Sequence, residues 1–129
     1  MDSNPPTTHQ GNNINCLFCK IAKKEMPAEI VYEDEKVSVF KDIHPKAPLH
    51  LLIIPKKHIH SINHLELRDK ELMGELILVA QKIAKEKNLE GYKLVINVGR
   101  PAGQIIDHLH LHLLAGWKSE EERNIPGMP

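Results

Sequence analysis

His108-Leu109-His110-Leu111-His112-Leu113-Leu114 alternates imidazole with leucine at a period of two. An extended strand has that period, because its successive side chains point to opposite faces. The stretch therefore predicts a strand that sends Leu109, Leu111 and Leu113 into a core and lines its other face with three imidazoles. Their Cα atoms would stand roughly 6.5–7 Å apart, close enough for each ring to disfavour protonation of its neighbours. Working outward, Ile30 to Tyr32 and Lys36 to Phe40 read as a hairpin about the charged turn Glu33-Asp34-Glu35. Leu49 to Ile54 reads as a strand ended by Pro55, and Tyr92 to Val98 as another. Between them, Asp69 is placed to cap a helix carrying Leu72, Leu76, Val79 and Ile83 on one stripe, widened by Met73, Ile77, Ala80 and Ala84. So broad an apolar stripe suits a helix that covers a sheet and also meets a partner subunit. Cys16 to Lys24 suits a short helical turn that stops before Pro27. Strands, one long helix, then strands again predict an α+β domain with an antiparallel sheet of about five strands and a short N-terminal helix.

The chain has 129 residues, too few for two independent cores, so a single domain over 16–129, with a short C-terminal extension, is expected. Residues 1–15 are almost devoid of apolar side chains and read as a flexible tail. Seventeen basic residues balance seventeen acidic ones, and only five residues are aromatic. A general nucleic-acid coat needs a basic field and stacking platforms, so that class is excluded. No apolar run reaches the roughly 18–20 residues of a membrane span, and no basic-then-apolar secretion pattern opens the sequence. Two cysteines do not staple a secreted domain of this size, which makes the cytoplasm the expected compartment. Histidine is the outlier, at nine residues.

Neutral imidazole is a good nucleophile near pH 7, and a neighbouring imidazole can donate to anionic oxygens. One attacking ring beside one donor ring suits displacement at phosphorus, where charge on the non-bridging oxygens has to be held. Cys16 and Cys19, spaced CxxC, supply half of a tetrahedral zinc site. The same spacing also suits a redox pair or two inert thiols. His58 and His60 follow Lys56-Lys57 and read as decoration of a polar loop. Asp42 and Asn97 taken alone read equally as turn residues, and Phe18 and Phe40 as ordinary core. Trp117 suits either the C-terminal end of the core or a subunit interface.

The histidine alternation resembles the motif of the histidine triad (HIT) superfamily, and the likeness runs from about Cys16 to Trp117. Cys16-Leu17-Phe18-Cys19-Lys20, Phe40-Lys41-Asp42-Ile43, His50, Ile54-Pro55-Lys56-Lys57-His58, Asn97 and Gly103-Gln104 fall in the order of its nucleotide-binding branch. The resemblance implies a HIT-like fold and a symmetric homodimer joined near Leu72 to Ile83 and Tyr92 to Val98. It implies that His110 attacks the α-phosphorus of a nucleotide, that His112 binds the phosphoryl oxygens, and that His108 orients His110. It further assigns Asn97 to the phosphate, Asp42 to the ribose beside Ile43, and Leu17, Phe18 and Phe40 to the base. Gly103, Gln104 and Ile105 would bring backbone donors to the phosphate. Zinc-containing members imply a closed, structural zinc site on Cys16, Cys19, His50 and His108. Histidine at 112, where related transferases carry glutamine, points to hydrolysis.

The expected function is thus cleavage of purine nucleoside 5′-phosphoramidates, or related adenylylated compounds, to a nucleoside monophosphate through a nucleotidyl-histidine. A dinucleoside polyphosphate hydrolase and a regulatory nucleotide-binding module are the alternatives. Two positions depart from the resemblance. Ile105 stands where serine or threonine often helps protonate a departing amine, and positioned acids contribute about 10²–10⁴ in rate. Asp107 stands where an apolar residue is common, and the sequence assigns it no role.

Overall fold

The computed structural model describes residues 15–123. The expected tail, 1–14 of it, and the end of the chain from 124 lie outside the described residues. Five strands, β1 (Ile30–Glu33), β2 (Val37–Lys41), β3 (Leu49–Pro55), β4 (Lys93–Val95) and β5 (Leu111–Ala115), form one sheet in the order β1-β2-β3-β5-β4. Every pairing is antiparallel. Helix α1 (Leu17–Ala22) precedes the sheet, α2 (Lys70–Glu86) joins its two halves, and α3 (Glu120–Arg123) follows it. The α+β architecture, the long helix and the short first helix agree with the sequence reading. No helix among the described residues is long and apolar enough to cross a membrane.

The sheet has two different faces, and each is legible in the alternation of its strands. Val37, Val39, Leu51, Ile53, Leu111 and Leu113 pack on one face against Leu76, Val79, Ala80 and Ile83 of α2. Phe40, Leu52 and Ile54 pack on the other against Phe18, Cys19 and Ile21 of α1. β3 is apolar on both sides because helices cover both of its faces, a pattern that gives a continuous hydrophobic run. His50 and His112 also belong to the α1 face, since Leu52 pairs with His112 and His50 with Leu114.

Four local expectations change. Asp69 sits at the start of α2 without capping it; its carboxylate accepts the Glu66 N–H at 2.9 Å and Lys57 Nζ at 2.7 Å, closing the preceding 3₁₀ turn. The segment expected as a strand from Tyr92 is regular only over Lys93–Val95, on the sheet edge. Ladder pairing of the last strand begins at Leu111, so His108 and His110 precede it, on a lead-in whose Leu109 N–H donates to the Ile59 carbonyl at 2.6 Å. Ile77, read into the buried stripe of α2, is exposed with Leu78.

Candidate active site and metal cluster

The three triad histidines share a face but not an environment. His108 is fully buried, His110 nearly so, and His112 is half-buried. The row of imidazoles is graded in exposure, because α1 lays Phe18 against the rings of both His108 and His110. Phe18 also meets Phe40 edge-to-face at 5.3 Å, forming an apolar wall beside the triad.

Each ring's proton is placed by a backbone group. A carbonyl only accepts, so a nitrogen that meets one carries hydrogen. His108 Nε2 lies 2.8 Å from the Pro55 carbonyl, which leaves the His108 Nδ1 lone pair facing inward. His110 Nδ1 donates to the His108 carbonyl at 2.7 Å, which leaves a lone pair on Nε2. His50 Nδ1 accepts the Lys46 N–H at 3.0 Å, so its Nε2 carries hydrogen and donates to His112 Nδ1 at 2.8 Å. His112 Nε2 therefore carries hydrogen, and it is buried without a partner among the described residues. The result is a bare nitrogen on residue 110 and a free donor on residue 112, on rings 5.0 Å apart.

Burial keeps both rings neutral. It lowers His110 below the ordinary imidazole value, against opposing effects of the His108 carbonyl and Asp42. Burial, reinforced by the nearby His110 and His50, holds His112 down to about 4. Asp42 Oδ2 stands 3.5 Å from His50 Nε2, while Oδ1 accepts the His44 N–H at 2.8 Å. That fixes a carboxylate at the edge of the His50–His112 pair.

The other expected ligand contacts divide. Asn97 stands beside Gly103, whose left-handed backbone suits glycine; a Cβ there would lie 3.7 Å from the Asn97 amide nitrogen. The Gly103 and Gln104 N–H groups are not free for a phosphate: they donate to the Arg100 and Gly99 carbonyls within the turn. The Gln104 side chain is likewise engaged internally. Leu17 lies at the exposed margin, and Ile43 and Ile105 project into solvent, Ile105 being 77% exposed.

A second cluster lies deeper. Cys16, Cys19, His58 and His108 are all buried, and one donor atom from each falls within 4.8 Å of the others. His108 Nδ1 is 3.3 Å from Cys16 Sγ, 3.5 Å from Cys19 Sγ and 3.2 Å from His58 Nδ1. Cys19 Sγ is 3.2 Å from His58 Nδ1. Tetrahedral zinc with ordinary bond lengths separates such donors by about 3.3–3.8 Å, so four side chains with an inward lone pair fit that ion. Without a metal, burial pushes the Cys16 thiol up to about 11.

The fourth member corrects the expected ligand set: it is His58, not His50. The β3–β5 ladder pairs His50 with Leu114 and stops at Ile53 and Leu111, so His108 lies beyond the end of the pairing farther from His50. His50 is instead engaged with His112, its Nε2 2.8 Å from His112 Nδ1. His58, expected on a polar loop, is instead 3% exposed. The reading also left Asp107 without a role; its carboxylate meets Arg100 Nη2 at 3.0 Å and His60 Nε2 at 3.3 Å.

Comparison with known proteins places the chain in a family. Residues 15–124 match the family model DcpS_C, scavenger mRNA decapping enzyme C-term binding. Protein HitA of Neisseria gonorrhoeae is 50% identical over 101 residues, covering 78% of this chain and 94% of that protein. A HIT family hydrolase from Legionella pneumophila Philadelphia 1 superposes with a TM-score of 0.78 at 51% identity, covering 81% of this chain and 95% of the other. The histidine triad nucleotide-binding protein of Candida albicans superposes at 0.70 with 33% identity, covering 82% and 85%. With the alternating histidines, the five-stranded sheet and these likenesses together, the chain belongs to the histidine triad superfamily.

Proposed function

We propose that this chain is a nucleotide hydrolase that attacks phosphorus through His110 Nε2. The carrying observation is the pair of backbone-set tautomers: a bare nitrogen on His110 beside a buried, unpartnered N–H on His112. The names of the Legionella and Candida relatives, a hydrolase and a nucleotide-binding protein, support the class. His110 Nε2 forms a bond to the α-phosphorus as the bond to the leaving group breaks, giving a nucleotidyl-histidine. His112 Nε2–H holds a non-bridging oxygen as charge develops on it, the preorganised-donor effect. Asp42 accepts from ribose hydroxyls, and Phe18 and Phe40 back the purine. Water then breaks the N–P bond, releasing a nucleoside monophosphate and neutral His110.

The substrate class is purine nucleoside 5′-phosphoramidates and related adenylylated compounds. Ile105 offers no proton, so a departing amine takes one from solvent. That favours, as a second reading, leaving groups such as phosphate that depart without one. Cys16, Cys19, His58 and His108 would hold a structural zinc, which contributes folding energy and leaves no coordination position for substrate. The exposed apolar residues Ile77, Leu78, Tyr92 and Leu94 of α2 and the β4 edge support a homodimer, to be checked by sedimentation.

The test is rapid quench with radiolabelled adenosine 5′-phosphoramidate and diadenosine polyphosphate. A burst of label on the protein, absent in His110→Ala, is expected. Turnover without a histidine adduct removes the covalent route, and saturable binding with neither label nor turnover leaves a regulatory module.

A further inference from the structure

The loop from Gly99 to Asp107 leads directly into His108, and its internal bonds exceed what a surface turn requires. Gln104 is buried in it: Oε1 accepts the Gly99 N–H at 2.9 Å, while Nε2 donates to the His60 carbonyl at 2.7 Å and the Ile106 carbonyl at 3.1 Å. On the outside, Arg100 Nη1 donates to the carbonyls of Gln104 and Ile105, and Nη2 pairs with Asp107. Asp107 also meets His60. Together with the Leu109 N–H bond to the Ile59 carbonyl, these links join the segment carrying His58 to the segment carrying His108. His108 in turn supplies the carbonyl that fixes the His110 ring.

We propose that Gln104 and the Arg100–Asp107 pair form a brace that positions His110 without touching substrate. This rests on the hydrolase reading for its kinetic arm only. Arg100 is matched along its fork, by two carbonyls on one nitrogen and a carboxylate on the other, a geometry that lysine does not reproduce. The exposed ion pair by itself adds little stability, so its effect falls on position. A shift of about 1 Å at a reacting group costs up to roughly 10²-fold in rate. Releasing one side of the brace is therefore expected to lower kcat roughly tenfold. The same architecture accounts for Ile105 facing solvent, since the carbonyls of its own and the preceding residue are both tied to Arg100.

Asp107→Asn preserves shape and removes the charge, Arg100→Lys keeps the charge and loses the fork, and Arg100→Asp with Asp107→Arg exchanges the partners. The first two variants should lower kcat with KM and the Kd for AMP changed less than twofold, and the exchanged pair should recover part of the loss. Independently of activity, the Leu109 amide should exchange faster in both single variants, and ¹⁵N spectra of His110 should show the Nδ1–H tautomer giving way to a mixture. Unchanged exchange and an unchanged His110 tautomer overturn the brace, whatever the rate does. Loss of AMP affinity in step with kcat also overturns it, because Arg100 would then be a ligand-binding residue. Wild-type protein that turns over no nucleotide, with exchange and tautomer responding as described, removes the hydrolase reading and leaves the brace standing.

Discussion

Replacing His58 by asparagine separates the metal cluster from the phosphate-facing histidines. The side chain is buried, its Nδ1 lies 3.2 Å from both Cys19 Sγ and His108 Nδ1, and the shorter, weakly basic amide cannot replace it as a donor. Closed structural zinc sites bind with about 10–16 kcal/mol; dividing that among four donors gives about 3 kcal/mol for one of them, roughly a hundredfold in affinity. His58→Asn should therefore lose zinc to a chelator that leaves the wild type loaded, and should unfold at lower temperature. It should also reduce kcat, because His108 loses one of the partners that fix its ring while keeping the Pro55 carbonyl. His50→Asn is the control, since that ring is engaged with His112 and lies outside the cysteine cluster. Competition with a chromophoric chelator, and the thiolate-to-metal band of the cobalt-substituted proteins, read out both variants. Retention of full zinc affinity by His58→Asn together with its loss in His50→Asn would refute the assignment, as would a wild type that takes up no zinc at all.

His50→Asn, although neutral for the metal, should lower kcat about tenfold. It releases the hydrogen bond that fixes the His112 tautomer, a loss bounded by the roughly 10²–10³ that removing an oxyanion donor costs. The pH–rate profile should hold its plateau at neutral pH and fall only below the ordinary imidazole value of 6.5. His110 is lowered from that value and must be neutral to attack, so activity is lost as pH falls; a midpoint at pH 7 or above contradicts this. Gly116→Ala should destabilise the fold by about 2 kcal/mol or more in urea titrations, because φ there is +93° and a Cβ would meet Pro48 Cβ at 2.9 Å. A variant as stable as the wild type would show that the Pro48 loop moves aside freely.

The periodicity of residues 108–114 made the sheet legible because two-faced burial writes itself into a strand at a period of two. Leu109, Leu111 and Leu113 entered the core as that pattern requires. The long helix was legible for the same reason at its own period, though not its partial exposure at Ile77. Tyr92 to Val98 looked like a full strand because local propensity does not record where a neighbour ends. β4 has β5 on one side only and stops after three residues. His58 was missed since a polar flanking sequence, Lys56-Lys57, is a local signal, whereas its burial depends on which distant segments the fold brings together. At Gly103 and Gln104 the sequence marks a turn without saying that the turn uses its own N–H groups.

The physical link between the two clusters is one residue used at three atoms. His108 directs Nδ1 at the cysteines, Nε2 at the Pro55 carbonyl, and its own carbonyl at His110. Rotating that ring toward solvent would break the first two contacts together, so the buried cluster restrains the peptide whose oxygen fixes the nucleophile's tautomer. The opposite end of the site works through an independent chain, from the Lys46 N–H through His50 to His112. Nucleophile and oxyanion donor are thus set by different backbone groups on different segments, and perturbing one leaves the other's proton in place. That independence lets two adjacent rings of the same chemistry play opposite roles, one presenting a lone pair and the other a hydrogen, without either needing to be charged.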